Sequence, residues 1–244
     1  MRSRAESSAE PVSGEAGVAV DAGMRFAFRR QGAGIAFGAA NPRKGRTVAS
    51  NSEPRIPPVK RSEWTDEVRD VFAVLEGADG WEKGPRYEFI SILAQHPALT
   101  RPFLSYNKHI MWNSSVPHRE RELVTLYIAW TCKSNYEWLS HVRESRQTGF
   151  TDEEIEAVKL GAASPMWSGL DLLLLRTVDQ MRDAYTVDDE TWAALSGHFD
   201  TKQIMDLIFT IGNYIMLAAV LNAMRIQPEL GEAGAALAEK YGTP

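Results

Sequence analysis

The sequence predicts an all-α domain, and three observations carry that reading. Apolar residues recur at three- and four-residue spacing through most of the chain after residue 55. Capping residues and glycine or proline stops divide those stretches into helix-sized pieces. Alternating runs bounded by turn dipeptides, the mark of strands and hairpins, do not occur.

Each element follows from local chemistry. The folded part is expected to begin near Arg55-Ile56-Pro57-Pro58, whose prolines enforce an extended chain. Thr65-Asp66-Glu67 caps a helix with Val68, Val71, Phe72 and Leu75 on one face, stopped at Gly77. Tyr87 to Ala94 forms the next, broken at His96-Pro97, and Pro97 opens the first turn of a helix over Leu99–Ile110. Pro117-His118-Arg119-Glu120 starts a strongly apolar helix, Leu123 to Trp130. Ser134-x-x-Glu137 reads as a capping box for a helix ending at Gly149, and Thr151-x-x-Glu154 as another for Ile155–Leu160, stopped at Gly161. Leu170–Tyr185, Asp188–Phe199 and Thr201–Met224 complete a series of eight to ten helices. The last is apolar almost all round and must be buried in a core or an oligomer interface. Apolar positions of 122–141 also repeat in 203–222, which would suit a pseudo-symmetric duplication.

Composition narrows the function classes. The 244 residues are 44% apolar and 24% charged, ordinary for a globular protein. The net charge of −5 argues against general nucleic-acid affinity. Residues 1–54, rich in Ser, Gly, Ala and Pro, bury too little to offset their ordering entropy and are expected to be a disordered leader. Arg29-Arg30 ahead of a short glycine-broken apolar stretch is a poor match to a twin-arginine signal, and Met24 is an alternative start. Apolar runs fall short of the ~20 residues that span a bilayer, so a cytoplasmic protein with no membrane partner is expected. Residues 55–230 are read as the domain and 231–244 as a C-terminal tail. The single cysteine, Cys132, excludes an internal disulfide and any Cys-x-x-Cys pair.

The chemistry concentrates in residues 117–155. Glu137 and His141 are four apart and share one helix face, while Glu122 lies on the preceding helix, where hairpin packing can bring it to the same place. A carboxylate beside an imidazole orients the ring and favours imidazolium, and a second carboxylate can relay the proton. Plainer roles exist for each: Ser134 and Glu137 as a cap, His141 in the core, Glu122 in a charged first turn. Arg119, Arg121, Arg143 and Arg146 are at hand for a substrate carboxylate, although arginines at such spacing are ordinarily solvated. The remaining histidines show no ligand spacing, and no phosphate loop or dinucleotide fingerprint occurs, so no metal and no cofactor are expected.

Pro117-x-Arg-Glu-Arg-Glu-Leu, Tyr136-Glu137-Trp138-x-x-His141-Val142 and Gly149-x-x-x-Glu153-Glu154-Ile155 resemble the carboxymuconolactone decarboxylase family, whose fold is shared with alkylhydroperoxidase D. The resemblance is clear over about forty residues and weaker around Leu93–Leu99. It implies an alkylhydroperoxidase D-like helical domain that self-associates as a trimer or hexamer. In the peroxidase branch a relay Glu, two cysteines and a His follow one another; at those positions this chain has Glu122, Ser134, Glu137 and His141. A peroxide cycle needs a low-pKa thiolate and a resolving thiol, and both positions lack sulfur.

What the resemblance leaves is cofactor-free acid/base catalysis on a small cyclic carboxylate or lactone, by decarboxylation or isomerisation. Glu122, Glu137 and His141 would be catalytic, with Ser134 and Tyr136 contacting substrate. Two alternatives stand beside it: a peroxidase working through Cys132, and a non-catalytic oligomeric binding domain.

Overall fold

The computed structural model describes residues 53–228 and 231–244, all helices and connections. The α-helices are α1 (Asp66–Glu76), α2 (Glu88–Leu93), α3 (Pro97–Lys108), α4 (His118–Thr131), α5 (Asn135–Gln147), α6 (Asp152–Val158), α7 (Gly169–Ala184), α8 (Asp189–His198), α9 (Thr201–Met224) and α10 (Gly231–Tyr241). The twin-arginine reading and all of the expected leader except residues 53–54 lie outside the described residues.

Local signals set most boundaries. Thr65 Oγ1 accepts the Val68 N–H at 3.4 Å to start α1, and Gly77, at φ 84°, ends it. Thr151 and Glu154 form the reciprocal capping box of α6, and Asp200 with Gln203 does the same for α9. At Ser134 the expected box does not form. The hydroxyl caps nothing, and the first turn is held by the Trp138 N–H on the Ser134 carbonyl at 2.9 Å.

Three further differences concern connections. His109–Asn113 is a turn of π-helix continuing α3, where the sequence predicted plain α-helix up to Ile110. The proposed duplication fails because 122–141 spans two helices and a turn, whereas 203–222 lies in uninterrupted α9. Residues 231–241, set apart as tail, form α10. Tyr241 is buried in the main core, and Trp138 Nε1 donates to the Gly242 carbonyl at 3.0 Å.

The core has two clusters. One packs α4, α5, α7 and the first half of α9 around Leu123, Leu126, Ile128, Leu174 and Leu207. The other joins α1, α2 and α3 to Tyr136 and the end of α9 through Phe72, Ile90, Leu104 and Leu221. α9 runs through both, which answers its apolar composition. Against the expectation that apolar runs fall short of a membrane span, α9 is long and apolar enough to cross one by length and composition, with half of its most apolar stretch buried. Its outer face leaves Met205, Phe209 and Met216 exposed.

Candidate active site

The α4–α5 hairpin builds the site. α4 ends in a Schellman turn: the Lys133 N–H donates to Trp130 O at 3.2 Å and the Ser134 N–H to Ala129 O at 2.9 Å. Lys133 takes the left-handed conformation (φ 59°) that glycine usually supplies there. The reversal lays α5 back along α4 and brings Glu122 against His141. Arg119 fixes the start of α4 by bridging Asp171 of α7 (2.8 Å) and Glu154 of α6 (2.6 Å).

Between the two clusters lies a cavity of about 180 Å³. That is room for about six waters, the scale of one small ring with substituents. Phe89, Tyr136, Leu217 and Leu221 give it apolar walls; Arg121, Glu122, Glu137, His141 and Tyr214 give it polar groups. Met111 and Trp112 of the π-turn also line it.

Glu122, buried at 3% exposure, accepts from His141 Nδ1 on Oε2 at 2.8 Å, with His118 Nε2 3.4 Å from its Oε1. Burial alone would raise its pKa, but the charge and hydrogen bond of His141 outweigh it, so the carboxyl lies below its ordinary value. Burial likewise opposes imidazolium at His141, and there Glu122 wins, raising the ring above its ordinary value. The Tyr214 ring stands edge-on to His141, centroids 5.1 Å apart. Its phenol is held neutral by burial and the neighbouring carboxyls.

Glu137 is as buried as Glu122 but contrasts with it in hydrogen bonding and in the direction of its pKa. It is 2% exposed, and neither carboxyl oxygen has a partner within normal hydrogen-bond geometry. Burial pushes its pKa up to about 8, while the nearby Ser134 hydroxyl and His141 only partly offset the rise. At neutral pH Glu137 is therefore a carboxylic acid and Glu122 a carboxylate, whose charge biases His141 toward imidazolium. Two carboxyls with opposed environments are how a site sorts acid from base.

The sequence-derived residues are thus divided. Glu122, Tyr136, Glu137 and His141 line the cavity; Ser134 is buried beneath Glu137 and does not. Cys132 caps the end of α4, half-buried and off the cavity wall, its thiol pushed up by burial and then by Glu137. His118 and Tyr214, like Tyr87, Asn107, Ser140 and Glu144, are polar lining residues the sequence did not single out for this site. Arg121 was one of four candidate arginines, and Tyr214 reads in the sequence as one more apolar position of α9. Among the described residues no three His, Cys, Asp or Glu side chains group as metal ligands.

Residues 97–168 match the model of the carboxymuconolactone decarboxylase family. The fold is similar to that of an uncharacterized peroxidase-related protein from Ralstonia eutropha JMP134, described as an alkylhydroperoxidase D core. The TM-score is 0.61 at 15% identity, over 73% of this chain and 94% of that one. A peroxidase-related protein from Silicibacter sp. TM1040 gives 0.57 at 17% identity over 83% and 99%. The debrominase Bmp8 gives 0.59 at 16% identity over 75% and 96%. No curated protein sequence matches this chain.

Proposed function

We propose that the cavity performs acid/base catalysis on a small cyclic carboxylate or lactone, a reading supported by the match of residues 97–168 to the carboxymuconolactone decarboxylase family and by the alkylhydroperoxidase D-like fold. The observation that carries this is the opposition of two buried carboxyls on one cavity: Glu122 ionised against His141, Glu137 protonated and without a partner.

The chemistry follows from the protonation states. In a decarboxylation the ring carbon keeps the electron pair of the breaking C–CO2 bond. A proton from Glu137 or His141 then neutralises that carbon, carbon dioxide leaves, and solvent restores the proton to the acid. In an isomerisation one group returns a proton to a different carbon from the one deprotonated. Glu122 holds the ring through Nδ1, leaving Nε2 as the atom that meets substrate. The protein is placed in the cytoplasm under this reading.

The test is turnover of a panel of carboxylated lactones and unsaturated cyclic acids, followed by mass spectrometry, with His141→Ala alongside. Loss of carbon dioxide or a proton-shift isomer, abolished in the variant, is expected. Full turnover by His141→Ala would overturn the reading.

A second reading, peroxide reduction through Cys132, is favoured by the fold likeness to peroxidase-related proteins. The raised thiol pKa and the distance from the cavity wall speak against it. A peroxide-plus-dithiol assay decides: consumption lost in Cys132→Ser would move the chemistry to sulfur.

Self-association belongs to the same proposal, with a second copy covering the outer face of α9. Leu207 to Met224 carries no charge, and Gly212 and Ala219 alternate with the larger Phe209 and Met216 at coiled-coil spacing. Sedimentation of wild type against Phe209→Glu tests it; a monomeric wild type would remove it.

A further inference from the structure

The cavity holds one charge that the proton chemistry does not use. Arg121 is only 9% exposed and lines the cavity, yet among the described residues its guanidinium makes no hydrogen bond and no ion pair. Its sister arginines are all engaged: Arg119 with Asp171 and Glu154, Arg143 with Glu144, Arg146 with Asp152. Taking a cation out of water without a hydrogen-bonded partner is costly, so a fold that keeps one in a cavity wall is poised for an anion.

The resident carboxyls do not serve as that anion. Both oxygens of Glu122 are turned to histidines, His141 on Oε2 and His118 on Oε1. Glu137 is protonated at neutral pH. Glu122 is already hydrogen-bonded to His141, and the rim pair Arg143–Glu144 is hydrogen-bonded to itself at 3.0 and 3.2 Å. Arg121 acts on Glu122 only through space, and no hydrogen bond or close ion pair holds its guanidinium.

We propose that Arg121 anchors a carboxylate of the substrate, and that this carboxylate is retained in the product. A planar guanidinium matches a carboxylate through two parallel N–H···O bonds. The same match decides the fate of the group. An ion pair stabilises the anionic ground state and has nothing to grip in neutral carbon dioxide, so it would raise the barrier to losing that carboxylate. The bound carboxylate is a handle. The reaction is an isomerisation of a monocarboxylate, or the loss of a second carboxyl held away from Arg121. Phe89 and Tyr136 take the ring, within reach of Glu137 and His141.

This inference rests on the acid/base reading of the cavity, but its binding test needs no turnover. Calorimetric titration of the full chain with benzoate and with benzamide, its neutral isostere, reads the anchor directly. Benzoate is expected to bind at least ten-fold tighter to wild type, Arg121→Gln to lose that preference, and Arg121→Lys to keep part of it. Equal affinity for the two probes, no measurable benzoate binding, or a preference that survives in folded Arg121→Gln overturns the proposal. The first two outcomes come from wild type alone, so a misfolded variant cannot mask them. Products from the turnover panel that lack every carboxylate of their substrate would overturn the retention step. Loss of turnover in His141→Ala without any benzoate preference would remove the anchor and leave the acid/base reading standing.

Discussion

Glu122 Oε2 lies 2.8 Å from His141 Nδ1, and the contact joins two helices whose residues are 19 apart in sequence. Each partner moves the other: the carboxyl is held below its ordinary value and the imidazole above it. The lowered carboxyl stabilises the fold above its unfolded pKa of 4.5, and that gain is lost as pH falls through its folded value. The raised imidazole stabilises below its unfolded pKa of 6.5, and that gain is lost as pH rises through its folded value. The two windows overlap between these unfolded values.

Glu122→Gln is therefore expected to cost most stability near pH 5–6 and to lower the His141 pKa, because the amide carries no charge. Turnover should fall roughly 100-fold, the low end of what a positioned proton-transfer residue contributes, because His141 loses the charge that favours its protonated form. An NMR titration of the His141 ring reads the shift, and a pKa unchanged from wild type would show that the pair is not coupled.

Glu137 carries the opposite sign. Its folded pKa of about 8 lies above the unfolded 4.5, so the unfolded chain binds fewer protons in between and stability falls as pH rises through that interval. Glu137→Gln removes the ionisation. Wild type and variant should be nearly equally stable near pH 4, with the variant ahead at pH 9 by on the order of 3 kcal/mol after relaxation of the site. Turnover should be lost, and the wild-type rate should decline with pH along a limb near 8. Denaturant melts at the two pH values check this; a variant less stable at pH 9 would mean that Glu137 is ionised and paired there.

Much of this was legible in the sequence because helix boundaries are written locally. Thr65, Gly77 and the Thr151–Glu154 box act within a turn of where they stand. The Glu122–Glu137–His141 constellation was legible because two of its members share a helix face and a hairpin returns the third. Lys133 was not, since its left-handed turn carries no glycine to announce it. The π-turn at His109–Asn113 depends on the buried Asn107–Asn213 bond and on Asp206 holding His109 and Ser115, all partners from a distant helix. Arg121 and Tyr214 meet in one cavity only after α9 packs between the clusters. No local period records such a meeting.

The left-handed Lys133 has a testable consequence. A side chain there costs about 1 kcal/mol that glycine avoids. Lys133 also approaches the Trp130 ring at 5.4 Å, a half-exposed contact worth less than that. Lys133→Gly is thus expected to raise the melting temperature by about 1–3 °C while leaving turnover unchanged. A lower melting temperature would mean that the cation–ring contact, or the added freedom of the unfolded chain, dominates the turn.

The C-terminal helix offers the last test, and it reaches the site through packing. Tyr241 is 1% exposed, and its hydroxyl donates to Asp152 at 2.5 Å, with Arg146 and Lys240 gathered on the same carboxylate. Trp138, fully buried beneath it, is the immediate neighbour of Glu137 on α5. Truncation after residue 230 removes the Trp138–Gly242 hydrogen bond and opens that tryptophan to water. Against the entropy of ordering eleven helical residues, the net loss should be on the order of 3 kcal/mol, a fall of about 6–12 °C in melting temperature. Water admitted beside α5 should also ease the ionisation of Glu137, so the alkaline limb of the rate profile moves to lower pH. A truncated protein with unchanged melting and an unchanged limb would make α10 an appendage, with Trp138 sealed by α5 and its neighbours alone.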